Sequence, residues 1–354
     1  MHSKTVYNID INLDVNKLLK NFLNKDNQYT IPIFIPHKGC PNNCIFCNQK
    51  RISGVEDTKE EEVKNIIETH LQYFKDSNKN IEIAFFGGSF TGIDINLQNM
   101  YLKAAYEYIK DGRVKSIRLS TRPDYINDTI LKNLKKYGVK NIELGVQSMD
   151  DNILEYSKRG HTREDVIKAS NLIKLYGFNL GHQVMVGLPG STLKTEIDTI
   201  KSLLKLNPND LRIYPVYVLQ DSELYDMYEN KEYIPLTIDE AIERVYYILK
   251  ECIKTDVKII RLGLQSTNEI TASNKNIAGP VCDNFAEYVM ARIIKEYIEE
   301  NLINEINKNV IKLDESIIHL NIHANNYYSS VIYGPKKVNK EYFYNKYNCV
   351  MKIR

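Results

Sequence analysis

Three cysteines, Cys40, Cys44 and Cys47, fall within eight residues directly after the apolar run at 31–36. Thiols spaced by three and then two residues can converge on one centre only if the chain wraps around it as a loop. That pattern indicates a cluster or metal site rather than a disulfide framework. A structural zinc site normally has four protein ligands, and His37 lies too close before Cys40 to complete such a set. Three thiolates leave one coordination position open, as in an iron–sulfur cluster with one free iron. A zinc knuckle or a redox thiol group remains an alternative on the spacing alone.

The composition describes a chain of 354 residues, of which 43% are hydrophobic and 26% are charged. This length suits one large α/β domain with a smaller appendage. The formal net charge of only +2 gives no electrostatic signal for a nucleic-acid or membrane partner. Because there is no signal peptide and no apolar run near the ~20 residues of a membrane span, we expect a soluble cytoplasmic protein with no membrane partner. Cys252, Cys282 and Cys349 stand apart from the motif, are expected to be small buried hydrophobes, and receive no role.

Strand-like and helix-like segments alternate along the chain after residue 30. The strand-like segments are rich in apolar residues and occupy 31–35, 81–86, 115–121, 141–146, 180–186 and 211–218. The helix-like segments carry apolar residues at three- and four-residue spacing and occupy 60–74, 97–109, 129–137, 150–157, 163–176 and 193–204. Such alternation requires parallel strands and right-handed crossovers. It predicts an α/β fold, an open partial (βα)6 TIM-like barrel.

In barrels of this kind the active site lies in the loops after the carboxyl ends of the strands. The cysteine loop follows the first predicted strand, and the second runs into Gly87-Gly88-Ser89, where paired glycines let the backbone approach a ligand closely. Strand alternation sends Gln183 and His182 to opposite faces, and we expect Gln183 to face the ligand. His161 is expected to be a loop or surface histidine. Further polar groups at these strand ends are Ser120, Thr121, Gln147 and Arg159.

The Cys-x3-Cys-x2-Cys spacing, with Phe46 before the last cysteine, resembles the radical S-adenosylmethionine (SAM) superfamily. The resemblance implies that the three cysteines hold a four-iron four-sulfur (4Fe–4S) cluster whose open iron chelates the amino and carboxylate groups of SAM. An electron from a flavodoxin- or ferredoxin-type reductant would then cleave SAM to methionine and a 5′-deoxyadenosyl radical. The SAM contacts that we expect are Phe46, Gly87, Gly88, Ser89, Ser120, Thr121, Gln147, Arg159 and Gln183.

Five motifs make residues 31–235 resemble the radical SAM domain of the Elongator catalytic subunit and its bacterial relatives. They are, in order, Gly-Gly-Ser-Phe-Thr-Gly, Ser-Thr-Arg-Pro-Asp, Gly-Val-Gln-Ser, Arg-Gly-His-Thr and Gly-Leu-Pro-Gly. The resemblance implies an RNA substrate, in particular tRNA. Ser89 departs from the superfamily's Gly-Gly-Glu segment, and Gly-Pro-Val-Cys282 departs from the Gly-Pro-Phe-His of bacterial relatives. The Elongator subunit continues into an acetyltransferase domain whereas this sequence stops at Arg354, so we do not expect wobble-uridine carboxymethylation to transfer.

Two other functions stay open at this stage. In the same enzyme class, the substrate would be a tetrapyrrole or another small molecule, as in the oxygen-independent coproporphyrinogen oxidase group. In a different class, the chain would be a non-catalytic, metal-dependent nucleic-acid-binding or electron-transfer protein with a structural cysteine loop. The sequence leaves open the electron donor, the oligomeric state and whether a partner chain supplies acyl-CoA chemistry.

The chain divides into a lead-in at 1–30 with a short helix, the partial barrel at 31–259, and a smaller α+β carboxyl-terminal extension at 260–354. Within the extension, 317–323 and 328–333 are expected to be strands that lead to Gly334-Pro-Lys336-Lys337 and a short helix. Gly334 with its two lysines resembles the phosphate-clamping loop of a KH module. The second glycine of Gly-x-x-Gly is missing, however, which favours an ordinary hairpin or turn.

Overall fold

The computed structural model describes residues 5–22, 28–35, 44–47, 59–73, 80–264 and 277–354. Its strands are β1 (Thr5–Asn12), β2 (Gln28–Ile35), β3 (Asn80–Gly87), β4 (Ser116–Thr121), β5 (Val139–Gln147), β6 (Asn179–Val186), β7 (Asp210–Pro215), β8 (Val218–Leu219), β9 (Lys258–Leu262), β10 (Ile277–Ala278), β11 (Ser316–His323) and β12 (Cys349–Ile353). Its α-helices are α1 (Val15–Leu18), α2 (Glu60–Gln72), α3 (Ile95–Lys110), α4 (Asp128–Lys136), α5 (Asp151–Tyr156), α6 (Arg163–Leu175), α7 (Leu193–Leu204), α8 (Glu223–Glu229), α9 (Ile238–Cys252), α10 (Phe285–Lys308), α11 (Ser329–Tyr333) and α12 (Val338–Tyr347).

The main sheet has seven parallel strands in the order β2-β3-β4-β5-β6-β7-β9. This confirms the predicted α/β fold and open TIM-like barrel, with one strand more than the six predicted. The extra strand, β9, spans the predicted boundary at 260 and pairs with β7. Strand β9 was not predicted from the sequence because it is short and lies at the edge of the sheet, where Ile260 is 39% exposed. It therefore lacks the apolar run of a strand that is buried on both faces.

Side-chain alternation along β2 and β3 separates the helix-facing side of the sheet from its concave side. Ile31, Ile33 and Ile35 are fully buried in the core that the helices share. Phe34 points the other way and pairs in register with Phe86 of β3. Arg212 of β7 lies over Phe86, with 5.0 Å between its guanidinium carbon and the ring centroid. Because β3 and β7 are not neighbours in the sheet, this contact crosses the barrel lumen.

A buried ionic layer fills the lumen near the amino ends of the strands. Arg118 of β4 donates to Glu82 of β3 at 2.9 Å and to both carboxylate oxygens of Asp210 on β7, at 2.9 and 3.2 Å. Towards the carboxyl ends, Arg212 donates to Glu143 of β5 at 2.5 Å. Since these charges are buried and paired, they close the lower end of the lumen with fixed side chains rather than solvent.

The carboxyl-terminal extension contains a second parallel sheet in the order β1-β11-β12. Strand β1 comes from the lead-in, and its whole length pairs with β11, from Thr5 opposite Ser316 to Asn12 opposite His323. The predicted lead-in helix is the single turn α1. The strand expected at 328–333 is wrong, because residues 329–333 form α11. Gly334 has φ +74° and starts a turn between α11 and α12. Of the two structures expected at Gly334, a hairpin or a turn, the chain therefore forms the turn.

Asn21 joins the lead-in to the edge of the barrel. Its carbonyl accepts from the Ile259 N–H at 2.7 Å, and its side-chain amide donates to the Val257 carbonyl at 2.7 Å. Cys252 and Cys349 are buried as predicted, and burial raises the pKa of each thiol to about 12. Cys282, predicted to be buried as well, is only half-buried. Within the described ranges, no helix combines the length and apolar character needed to cross a membrane.

Candidate functional site

Cys44 and Cys47 lie in a turn that follows β2, on the carboxyl-end side of the main sheet. The Cys47 N–H donates to the Cys44 carbonyl at 2.9 Å, and Ile45 between them hydrogen-bonds to the Ser157 carbonyl at 3.3 Å. Cys44 is buried and Cys47 is half-buried, and neither forms a disulfide within the described residues. Cys40, the third cysteine of the motif, lies outside the described residues. The two described thiols therefore lie where the sequence predicts, after the first barrel strand at the carboxyl end of the sheet. Thiolates are the usual ligands of iron–sulfur clusters.

Arg159 reaches the cysteine turn from the loop after α5. One guanidinium nitrogen donates to the Cys44 sulfur at 3.2 Å, and the other donates to the Gly145 carbonyl at 2.6 Å. Arg159 is only 6% exposed. The guanidinium charge therefore lies against the Cys44 sulfur with little solvent between them.

Gln147 ends β5 in a conformation that side-chain-bearing residues rarely adopt. Its φ is +68°, and the register with β6 shifts between Gly145 and Gln147. Such backbone strain costs about 1–3 kcal/mol and concentrates at functional sites. The bulge turns Gln147 towards Gln183, whose Nε2 lies 3.5 Å from the Gln147 Oε1. Two predicted contacts are thereby brought together.

Gln183 and His182 lie on opposite faces of β6, as alternation predicts. His182 is fully buried against α6, where its Nε2 is 2.9 Å from the Ser170 hydroxyl. Burial lowers the pKa of His182 to about 3, so the ring is neutral at ordinary pH. Gln183 is half-buried on the lumen side and available to a ligand there.

Ser89 and Thr121 lie in a buried cluster of hydroxyls between the ends of β3 and β4. Their oxygens are 2.8 Å apart, and the Thr91 hydroxyl is 2.6 Å from that of Thr121. The Arg122 N–H donates to the Ser89 hydroxyl at 3.2 Å. Ser120, on the lumen side, donates to Glu143 at 3.1 Å. These hydroxyls have partners within the protein, which their residue types did not reveal.

Gly87 and Gly88 form the turn at the end of β3. Gly87 has φ +103°, and a Cβ at this position would lie 2.9 Å from the Ile35 carbonyl oxygen at the end of β2. Only glycine lets the two strand ends approach this closely. Phe46 lies across the site in the cysteine turn, where it packs on the same apolar cluster as Met185 of β6.

His161 lies in a loop, as expected, but it is buried there and not at the surface. It is 4% exposed. Burial and the guanidinium groups of Arg159 and Arg122 lower its pKa to about 3, so it adds no charge next to them. Its place in Arg-Gly-His, next to Arg159, is the only sequence signal for this position. Arg212 and Tyr214 of β7 lie on the lumen side, where Arg212 is paired with Glu143 and donates to the Tyr214 hydroxyl.

Comparison with protein families and known proteins agrees with this architecture. Residues 34–203 match the model of the radical SAM superfamily, and residues 208–295 match that of the radical SAM C-terminal domain. The chain is 33% identical over 187 residues to a tRNA uridine(34) acetyltransferase of Methanocaldococcus jannaschii, a match that covers 47% of this chain and 35% of the relative. It is 31% identical over 237 residues to an uncharacterized protein of the same organism, covering 62% of this chain and 71% of that relative.

The solved structure of archaeal Elp3 (Elongator protein 3) from Methanocaldococcus infernus, with an N-terminal deletion, superimposes with a TM-score of 0.60. That match has 25% sequence identity and covers 77% of this chain and 63% of the Elp3 chain. The chain spans only about a third of the length of the first tRNA uridine(34) acetyltransferases that it matches, 35% in each case. The Elongator-like resemblance predicted from the motifs is confirmed, and the chain belongs to the radical SAM superfamily as an enzyme of the radical SAM type.

Proposed function

We propose that this chain cleaves SAM reductively at a 4Fe–4S cluster held by Cys40, Cys44 and Cys47, and that it uses the radical to modify RNA, specifically tRNA. One observation carries the proposal. At the carboxyl edge of the parallel sheet, the cysteine turn contacts Arg159, and the strained Gln147 lies at the same edge. When bound, the cluster and SAM supply the electron and the radical precursor.

The residues of the chain would bind and orient SAM and shield the radical from water. We assign the SAM amino and carboxylate groups to the backbone of Gly87 and Gly88, and the remaining polar groups to Gln147, Gln183 and Arg159. Phe46 provides an apolar contact. Ser89, Ser120 and Thr121 contribute by fixing the ends of β3 and β4, because their hydroxyls are already engaged in the protein.

Water must be kept from the lumen, since an unshielded radical reacts with whatever it meets. The Arg118 layer is suited to this role because its buried charges are paired with one another across the lumen. It would block solvent from the amino-end side, leaving the carboxyl end of the barrel for the substrate.

The tRNA assignment is supported by the names of relatives, the tRNA uridine(34) acetyltransferases. Since the match covers 35% of those proteins, the acetyl-transfer step is not carried over. The reductant is proposed to be of flavodoxin or ferredoxin type. The net charge of +2 adds no argument for RNA, so the substrate needs a direct test.

The cofactor assignment is tested by anaerobic reconstitution with iron and sulfide. We expect about four irons and four sulfides per chain, and 5′-deoxyadenosine after addition of SAM and dithionite. A Cys44→Ala variant should lose both, while a matched Cys349→Ala variant, altered at a buried thiol far along the chain, should keep both. Bound zinc, or a full cluster without SAM cleavage, would contradict the proposal.

The substrate assignment is tested by comparing modified nucleosides in tRNA from cells with and without this protein. We expect one modified nucleoside to disappear and to return when the wild-type gene, but not the Cys44→Ala gene, is restored. An unchanged nucleoside profile beside demonstrated SAM cleavage would remove tRNA and favour a small-molecule substrate.

A further inference from the structure

The hydrogen bond between Arg159 and Cys44 points to a role for this arginine beyond SAM binding. We infer that Arg159 is a positioning residue of the cluster: through its N–H···S bond it raises the reduction potential of the iron–sulfur centre and so makes electron entry easier. The inference rests on the proposed function, in that Cys44 must be a cluster ligand.

The loop around Arg159 fixes the direction of its side chain. Lys158 and Gly160 on either side have φ +53° and +68°, and the Arg159 N–H donates to the Leu154 carbonyl at 2.9 Å. At the far end, the 2.6 Å bond to the Gly145 carbonyl holds one guanidinium nitrogen, so that the other faces the sulfur at 3.2 Å. An arginine whose sole role was to bind SAM would not need hydrogen bonds to both the Gly145 carbonyl and the Cys44 sulfur.

The electrostatic consequence follows from burial. A hydrogen bond to a cluster sulfur stabilises the reduced, more negative state and is a recognised determinant of iron–sulfur potentials. Arg159 is 6% exposed, so solvent screens its charge poorly. The neighbouring His161 stays neutral because its pKa is about 3, and Arg122 is paired with Asp124 at 3.0 Å. Among the residues that the structure describes, the charge in contact with the Cys44 sulfur is that of Arg159.

The alternative role, contact with SAM alone, makes a different prediction. If Arg159 only binds SAM, its replacement weakens SAM binding but leaves the potential of the SAM-free cluster unchanged. If it acts on the sulfur, the potential changes before SAM is added. The two roles are thus separated by measuring the cluster without its co-substrate.

The test is the midpoint potential of the reconstituted enzyme without SAM, followed by electron paramagnetic resonance during a dithionite titration. We expect Arg159→Met to shift the reduction equilibrium at least about tenfold towards the oxidised cluster, which is about 59 mV for one electron. Arg159→Lys, which keeps the charge but not the planar fork, should fall between Arg159→Met and the wild type.

The matched control is Lys158→Gln in the same loop. It removes one positive charge from an exposed side chain paired with Glu223 at 2.6 Å, without touching the sulfur, and should leave the potential close to the wild-type value. An unchanged potential in Arg159→Met, or an equal shift in Lys158→Gln, would overturn the inference. If Arg159→Met holds no iron, Arg159→Gln and Arg159→Lys carry the comparison. A wild-type protein without a 4Fe–4S cluster would instead refute the proposed function.

Discussion

The hydroxyls of Ser89 and Thr121 lie 2.8 Å apart at the ends of β3 and β4, 32 residues from each other in the sequence. Ser89 stands where the superfamily segment has an acid, yet it is buried and bonded to its neighbour strand. We expect Ser89→Ala to lower the free energy of unfolding by about 1–2 kcal/mol, the cost of leaving a buried partner unsatisfied, with little loss of SAM affinity. Denaturant unfolding and equilibrium dialysis of SAM measure the two effects. A large loss of affinity without destabilisation would instead make Ser89 a direct SAM contact.

The positive φ of Gln147 leads to a reversed order of stability between two substitutions. Glycine is normally less stable than alanine inside a strand, but at φ +68° alanine keeps the strain that glycine relieves. We expect Gln147→Gly to be more stable than Gln147→Ala by about 1 kcal/mol, while both lose SAM affinity. Urea unfolding of the two variants checks the order. Equal stabilities, or alanine ahead, would show that the bulge relaxes when the side chain is removed.

Arg118 is the buried counter-ion of two carboxylates in the lumen, those of Glu82 and Asp210. Its loss in Arg118→Met leaves the carboxylates of Glu82 and Asp210 buried without their counter-ion, and we expect a destabilisation of about 3–5 kcal/mol. Adding Asp210→Asn to Arg118→Met should recover part of that loss. The control is Lys20→Met, which breaks an exposed pair with Asp256 and should cost less than about 1 kcal/mol. Similar costs for the two single variants would contradict a buried ionic layer centred on Arg118.

His182 makes the stability of the fold depend on pH. Its pKa is about 3 in the folded chain against an ordinary 6.5, so the unfolded chain binds more protons as the pH falls below 6.5. This contribution is complete above pH 6.5 and is lost on acidification, by about 2 kcal/mol between pH 7 and pH 5. His182→Gln, which keeps a donor for Ser170, should remove about that much of the loss over the interval, while the similar contribution of buried His161 remains.

Much of the barrel could be predicted because its strands read as apolar or β-rich segments. Of the six predicted strands, β3–β7 lie inside the sheet and are largely buried on both faces, and the edge strand β2 still reads as an apolar run although Phe34 is 40% exposed. Strand β9 and the lead-in strand β1 could not be predicted, since Ile260 is an exposed edge residue and β1 alternates polar side chains with Ile9 and Ile11. Nothing local indicates that the partner of β1 is a strand near the other end of the chain.

In the candidate site too, features set by local sequence could be predicted, and features set by contacts with other elements could not. Alternation alone separates Gln183 from His182, because successive strand residues face opposite sides. The burial of His161 and the engagement of the Ser89 hydroxyl depend on residues brought in from other elements, so their types alone could not predict them. The direction of Arg159 towards a sulfur, 115 positions earlier in the chain, belongs to this second group.

The pairing of β1 with β11 has a consequence for biosynthesis. During synthesis on the ribosome, β2 to β7 can join the sheet in the order in which they emerge, because each pairs with the strand just before it. Strand β1 leaves the ribosome before β2 but finds its partner only after residues 316–323 have followed. It therefore stays unpaired while all the strands of the main sheet are synthesised, and the second sheet closes after the main sheet can have formed.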